Sequence, residues 1–233
     1  MAQDFHPEKH RQVTSGWFRA GVFGASDGLV TNASLILGFA GANPGHNIVR
    51  LAGLAGLVAG GFSMASGEYV SVRAQKELLD YEIAVERQSI EDSPVQETEE
   101  LRDLFVARGI EFSLADRLST DLMRDPDLAL RTHAREELGV DPSATGSPWA
   151  AAISSMLSFG VGAFIPLLPW LFGSSGDPII WSIAFAVLTA SALGALIGWF
   201  TRNGVWRSVV RQVLVGALAA AVTFGVGRLV GVH

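Results

Sequence analysis

The chain has 233 residues, 49% of them hydrophobic and only 17% charged, with a formal net charge of −6 at pH 7. A soluble domain usually carries about 25% charged residues, and here the deficit is uneven: charge gathers between Glu68 and Asp141 and nearly vanishes elsewhere. The pattern excludes an ordinary soluble globule, the acidic balance argues against nucleic acid as a partner, and the lack of cysteine excludes disulfides and thiolate metal sites.

The N-terminal segment, 1–16, is polar, with Asp4, Glu8, Lys9 and Arg11. It lacks the apolar core and small-residue cleavage site of a signal peptide, so the first apolar stretch is expected to be a retained span. A spanning helix needs about 20 mostly apolar residues, and five segments qualify. The first, 17–42, contains one acid, Asp27. The second, 48–72, has no charge between Arg50 and Glu68. The third (149–172) and fourth (178–201) carry none, and the fifth, 209–230, is uncharged between Arg211 and Arg228. Pro166 and Pro169 interrupt the third, where they either kink the helix or free carbonyls that line a cavity.

Between the second and third spans lies a polar insert, 73–147. Residues 74–90 lack Gly and Pro and favour helix, so the second span is expected to run on into the insert. Pro94 marks a turn. A second insert helix follows over 97–108 and ends at Gly109; Ser113 is placed to cap a third over 114–123; a fourth starts near Pro126 and closes at Gly139. The chain so divides into a polar tail (1–16), spans one and two (17–72), a helical insert (73–147) and spans three to five (148–233). The fold class is an all-α membrane protein with five transmembrane helices and a helical cytoplasmic insert between the second and third.

Basic residues set the orientation. Lys9, Arg11 and Arg19 precede or open the first span, and Arg202, Arg207 and Arg211 join spans four and five. The 173–177 loop has none and the loop between spans one and two has only Arg50. The N-terminus, the insert and the Arg202 loop are therefore expected in the cytoplasm. Gly56 with Gly60, and Gly194 with Gly198, have the four-residue spacing that lets helices approach closely in lipid.

Asp27 carries the sharpest chemical signal. An acid at membrane depth costs roughly 2.5–3.5 kcal/mol on insertion scales, so such residues mark ion or proton paths unless they sit near headgroups or pair with a base such as Arg19. Gly24 and Gly28 flank it and leave room for a helix or an ion. Met64 lies in the second span; alone, a methionine is more often packing than ligand. Glu68 stands one turn beyond it, and a thioether beside a carboxylate suits a borderline transition metal better than calcium or magnesium.

The insert carries an acidic set: Glu82 and Glu86 on one helix, Glu97 and Glu100 on the next, and Glu136 and Glu137 on the last, preceded by His133. Like charges three or four apart repel on a bare helix. A cation relieves that repulsion, and inward-facing glutamates of bundled helices hold metals in this way; a solvated acidic face gives the same spacing. No Walker loop, nucleophile elbow or HExxH motif is present, which argues against ATP-driven pumping and against an enzyme.

Three stretches resemble the vacuolar iron transporter family, which includes the yeast calcium-sensitivity-complementing transporters and many bacterial members. They are Ser26-Asp-Gly-Leu-Val-Thr-Asn, Gly60-Gly-Phe-Ser-Met-Ala-Ser-Gly-Glu-Tyr-Val-Ser-Val and Gly162-Ala-Phe-Ile-Pro-Leu-Leu-Pro. Glu82-Ile-Ala-Val-Glu-Arg and Ala134-Arg-Glu-Glu-Leu-Gly resemble the family's cytoplasmic domain. The resemblance implies a homodimer and proton-coupled export of Fe2+ from the cytoplasm, with Mn2+ often accepted. It places the pore acid at Asp27, the pore methionine at Met64 and cytoplasmic metal ligands at Glu86, Glu97, Glu100 and Glu137. Two positions depart: Ser89 stands where glutamate is common and His133 where methionine is frequent. The expected partners are metal ions, protons, membrane lipid and a second copy. The metal is cargo and no prosthetic group is expected. The expected location is a bacterial plasma membrane, because no sorting segment precedes the first span. A membrane-anchored metal buffer is the competing reading. A ferritin-like oxidase fits less well, since His133 is the only histidine in the insert.

Overall fold

The computed structural model describes residues 16–137, 139, 146–173, 176–202 and 204–231, with side chains from residue 21 onward. The polar tail and most of the linker from the insert into the third span lie outside the described residues. Among the described residues every regular element is helical. The order is α1 (Gly16–Gly41), α2 (His46–Asp92), α3 (Pro94–Ala107), α4 (Phe112–Leu122), α5 (Pro126–Glu136) and α6 (Pro148–Phe164). A 3₁₀ turn (Ile165–Leu167), α7 (Leu168–Phe172), α8 (Pro178–Thr201) and α9 (Val205–Val230) follow. The chain forms two compact units. One comprises Tyr69–Pro148; the other is built from the residues before and after it.

The larger unit holds five stretches long and apolar enough to cross a membrane: Gly21–Gly41, the first part of His46–Asp92, Pro148–Phe172, Pro178–Thr201 and Val205–Val230. Large apolar side chains point away from its interior, among them Leu188 (66% exposed), Trp206 (77%) and Leu229 (86%). A soluble protein would hide these side chains; lipid accepts them without cost. α2 continues through the second span into the insert with no break, as the Gly- and Pro-free run over 74–90 favours.

Close helix approach in this unit rests on small residues. Gly194 and Gly198 of α8 lie against the backbone of α9 at Val209 and Val205. Gly56 and Gly60 of α2 meet Asn32 and Leu35 of α1 and Phe159 of α6. Both four-residue glycine pairs therefore serve packing within one chain. Gly28 of α1 and Gly162 of α6 face each other's helices so closely that a β-carbon on either would strike a backbone carbonyl, that of Phe159 or of Ala25. The contrast with Gly160, which has open space around it, makes a test. Gly162→Ala will lower the thermal stability of the detergent-solubilised protein by about 1–3 kcal/mol, the usual range for overpacking. Gly160→Ala will stay within about 0.5 kcal/mol. Equal melting temperatures for the two variants would count against this crossing.

The prolines of the third span produce a kink. Residues 165–167 tighten to 3₁₀ geometry, and the Pro166 carbonyl accepts a hydrogen bond from the buried Ser182 hydroxyl at 2.8 Å. Trp170 Nε1 donates to the same hydroxyl at 2.9 Å. The Pro166 carbonyl is thus satisfied inside the protein. Asn32, fully buried, makes a similar tie: its amide donates to the Ala163 carbonyl at 2.6 Å.

In the insert, α3 begins at Pro94 and ends before Gly109, which takes φ +91°. α5 begins at Pro126, with Asp125 as its cap accepting from the Asp127 and Leu128 amides at 3.0 and 3.3 Å. The cap of α4 differs from expectation. Glu111 is the capping residue, and Ser113 donates to it from both its amide (3.1 Å) and its hydroxyl (2.5 Å). A carboxylate two residues upstream outcompetes a hydroxyl as acceptor for the orphan amides of a first turn. Two small cores hold these helices. One joins Ile90 of α2 to Ala129 and Leu130 of α5; the other joins Leu101 and Phe105 of α3 to Ala115 of α4.

Candidate metal centre

The first of those cores puts Glu86, one turn before Ile90 on α2, beside α5. His133 is one turn after Ala129 on α5, and Glu137 follows one turn later, just past the helix end. Glu97 comes from the first turn of α3, so three helices converge.

His133 is the centre of the group. Its side chain is fully buried, and Nδ1 lies 2.8 Å from Glu137 Oε1, 3.0 Å from Glu86 Oε1 and 3.8 Å from Glu97 Oε2. One donor atom from each of the four residues lies within 4.8 Å of every other. Donors around an ion at bond lengths of about 2.1 Å stand roughly 3.0–4.2 Å apart, so small movements convert the cluster into a coordination shell. Glu86 Oε1 is buried, and the one donor near it, His133 Nδ1 at 3.0 Å, lies closer to Glu137 and leaves Oε1 without a well-formed hydrogen bond. A buried carboxylate oxygen left in that state is costly unless a cation or water serves it.

The electrostatics agree. Burial pushes the Glu86 carboxyl above its ordinary value, the charge of Glu137 raises it further, and His133 opposes both. Glu97 is raised by burial and then by Glu100, again with His133 opposing. Crowded carboxylates that resist ionisation together are the expected state of an acidic site without its cation.

The structure sorts the remaining expected ligands. Glu100 is exposed one turn beyond Glu97 and acts on Glu86 and Glu97 through its charge. Glu82 is half-buried one turn before Glu86, outside the four-residue group. Glu136 is paired with Arg108, whose guanidinium also donates to the Glu136 carbonyl at 3.2 Å. Adjacent residues on a helix point about 100° apart, so with Glu137 facing His133, Glu136 faces away. Arg108, the residue that claims it, is 28 positions distant, and no local spacing announces the pair.

In the larger unit, Asp27 is exposed on α1, with Thr31 Oγ1 donating to its Oδ1 at 3.4 Å. The neighbouring Ser26 is tied to Gln212 of α9. Met64 and Glu68 are half-buried on α2. Thr31 is one helical turn from Asp27 and was legible from spacing; Gln212, 186 positions away from Ser26, was not.

The sequence profile of the VIT family matches residues 18–228. The chain belongs to the VIT family. Similar proteins include a vacuolar iron transporter of Acanthamoeba castellanii, 37% identical over 232 residues, which covers 95% of this chain and 82% of that protein. Vacuolar iron transporter 1 of Oryza sativa subsp. japonica is 30% identical and covers 97% of this chain and 89% of its own. Vacuolar iron transporter 1 of Arabidopsis thaliana is also 30% identical, with 97% and 91% covered. This VIT-family chain thus carries both the membrane helices and the insert within the matched region, and the candidate metal cluster lies wholly inside it.

Proposed function

We propose that this protein is an iron transporter that moves Fe2+, and also Mn2+, out of the cytoplasm in exchange for protons. It acts as a homodimer with the N-terminus and insert on the cytoplasmic side of a bacterial plasma membrane. It is not an enzyme. Asp27 is the observation that carries the reading. A carboxylate exposed on an apolar helix at membrane depth needs an ion, a proton or a protein partner to offset its insertion cost. The names of the relatives, vacuolar iron transporters, supply the cargo.

In this scheme the insert concentrates metal at Glu86, Glu97, His133 and Glu137, with Glu100 adding negative potential. The ion then passes to the membrane path, where Glu68, Met64 and Asp27 offer oxygen and thioether donors. A second copy covers the exposed Asp27 face and places the path between protomers. Protons and metal compete for carboxylate oxygens, so protonation of Asp27 from the far side releases the ion and couples the two fluxes.

A second reading is a membrane-anchored metal buffer, favoured by the fact that all four cluster donors lie between residues 86 and 137 and none is in a span. Purified protein in liposomes separates the two. With an acidic lumen, Fe2+ and Mn2+ will accumulate faster than without a gradient, and Ca2+ will not accumulate. Binding without uptake under both conditions would establish the buffer instead.

A further inference from the structure

The chemistry of His133 points past the presence of a metal site to its selectivity. The side chains around the centre are graded in exposure: His133 is 0% exposed, Glu97 11%, Glu86 14% and Glu137 23%. The imidazole is the floor of the site and the carboxylates form its mouth. An arriving cation meets oxygen first and nitrogen last.

The ring is aimed by its surroundings. Nδ1 faces the three carboxylates, while Nε2 is buried with no hydrogen-bond partner. Among the described residues nothing at Nε2 competes to rotate the ring, and its carboxylate neighbours Glu86, Glu97 and Glu137 all lie on the Nδ1 side. Nδ1 is therefore delivered, in place and out of water, to the point where the carboxylate oxygens converge.

We propose that His133 is the specificity-determining residue of the insert, making the centre a mixed one-nitrogen, three-carboxylate site that takes late first-row divalent cations (Co2+, Ni2+ and Zn2+, with Fe2+ next) in preference to Mn2+ and rejects Mg2+ and Ca2+. This rests on the metal-centre reading given above and deepens it. Imidazole suits zinc, iron and nickel, whereas carboxylate and water suit magnesium, calcium and manganese. Mg2+ gives up its water reluctantly and gains little from nitrogen. Ca2+ takes six to eight oxygens at about 2.3–2.6 Å and draws no comparable gain from a nitrogen donor. Among the transition metals, affinity climbs from Mn2+ towards Ni2+, and replacing an oxygen by a nitrogen donor steepens the climb. The site thus discriminates at the floor, after a mouth that admits any divalent cation.

The test uses the full-length protein in detergent. Mn2+ bound to the wild type will show electron-spin-echo modulation from a directly coordinated imidazole nitrogen, a readout that needs no variant. Competition between Co2+ and Mn2+ will then give a preference for Co2+ that falls about tenfold or more in His133→Gln, since losing even a supporting contact to a ligand costs 10–100-fold in affinity. If wild-type protein binds Mn2+ at the centre with no nitrogen modulation, or if His133→Gln binds with an unchanged Co2+ to Mn2+ ratio, the selectivity role is overturned and the centre itself stands. If Glu86→Gln binds every metal as the wild type does, the centre has been misplaced and the inference falls with it.

Discussion

Asp27→Ala will transport Fe2+ into liposomes at about one hundredth of the wild-type rate, while still binding metal in the insert. The size follows from the membrane. A carboxylate at bilayer depth is offset by contacts worth roughly 2.5–3.5 kcal/mol, and each ~1.4 kcal/mol is a factor of ten. Asp27→Asn keeps the shape and the Thr31 contact but has no charge to attract an ion and no proton to exchange. It will be as slow as the alanine variant and insensitive to the pH gradient. Asp27→Glu keeps both properties and will retain part of the rate. The side chain is exposed on α1 and hydrogen-bonded only weakly, at 3.4 Å, so none of these changes removes packing. A normal Fe2+ flux through Asp27→Ala would remove the centre of the transport mechanism.

The spans and the cluster were legible to different depths, for physical reasons. A bilayer imposes one length scale and one composition on every helix that crosses it, so five stretches can be read from residue type alone. The run of α2 into the insert follows just as directly from helix propensity. The kink at Pro166 could be located but not interpreted, because the donor that satisfies its carbonyl, Ser182, comes from another helix. In the insert, the periodicity of one helix puts His133 and Glu137 on one face. It says nothing of which acids on α2 and α3 will meet them. That choice is made by Ile90, Ala129 and Leu130, apolar residues whose contact sets the register between α2 and α5. The same limit hid Arg108, whose pairing with Glu136 leaves Glu137 as the acid that faces the histidine.

Metal and stability should prove inseparable in the insert, and the sign can be worked out. Glu86 and Glu97 have carboxyls raised above their ordinary values, chiefly by burial. For groups raised on folding, the favourable contribution is complete below the unfolded value and is lost as pH rises through the folded one. Metal-free protein therefore loses stability from acid pH up to neutrality. A divalent cation acts oppositely, since it binds the ionised carboxylates and must displace protons to do so. Full-length protein in chelator will accordingly melt lower at pH 7 than at pH 5. Mn2+ at a hundred times its Kd will restore about 2.7 kcal/mol at pH 7 and much less at pH 5. The double variant Glu86→Gln, Glu97→Gln removes two of the three crowded charges. It will melt higher than the wild type in chelator at pH 7, lose the pH dependence, and gain less than about 1 kcal/mol from the same Mn2+ concentration. This combination, a substitution that stabilises the metal-free protein while abolishing the metal response, separates a binding site from a structural acidic patch. If instead the double variant melts lower in chelator and still responds to Mn2+, the carboxylates support the fold and the ion binds elsewhere.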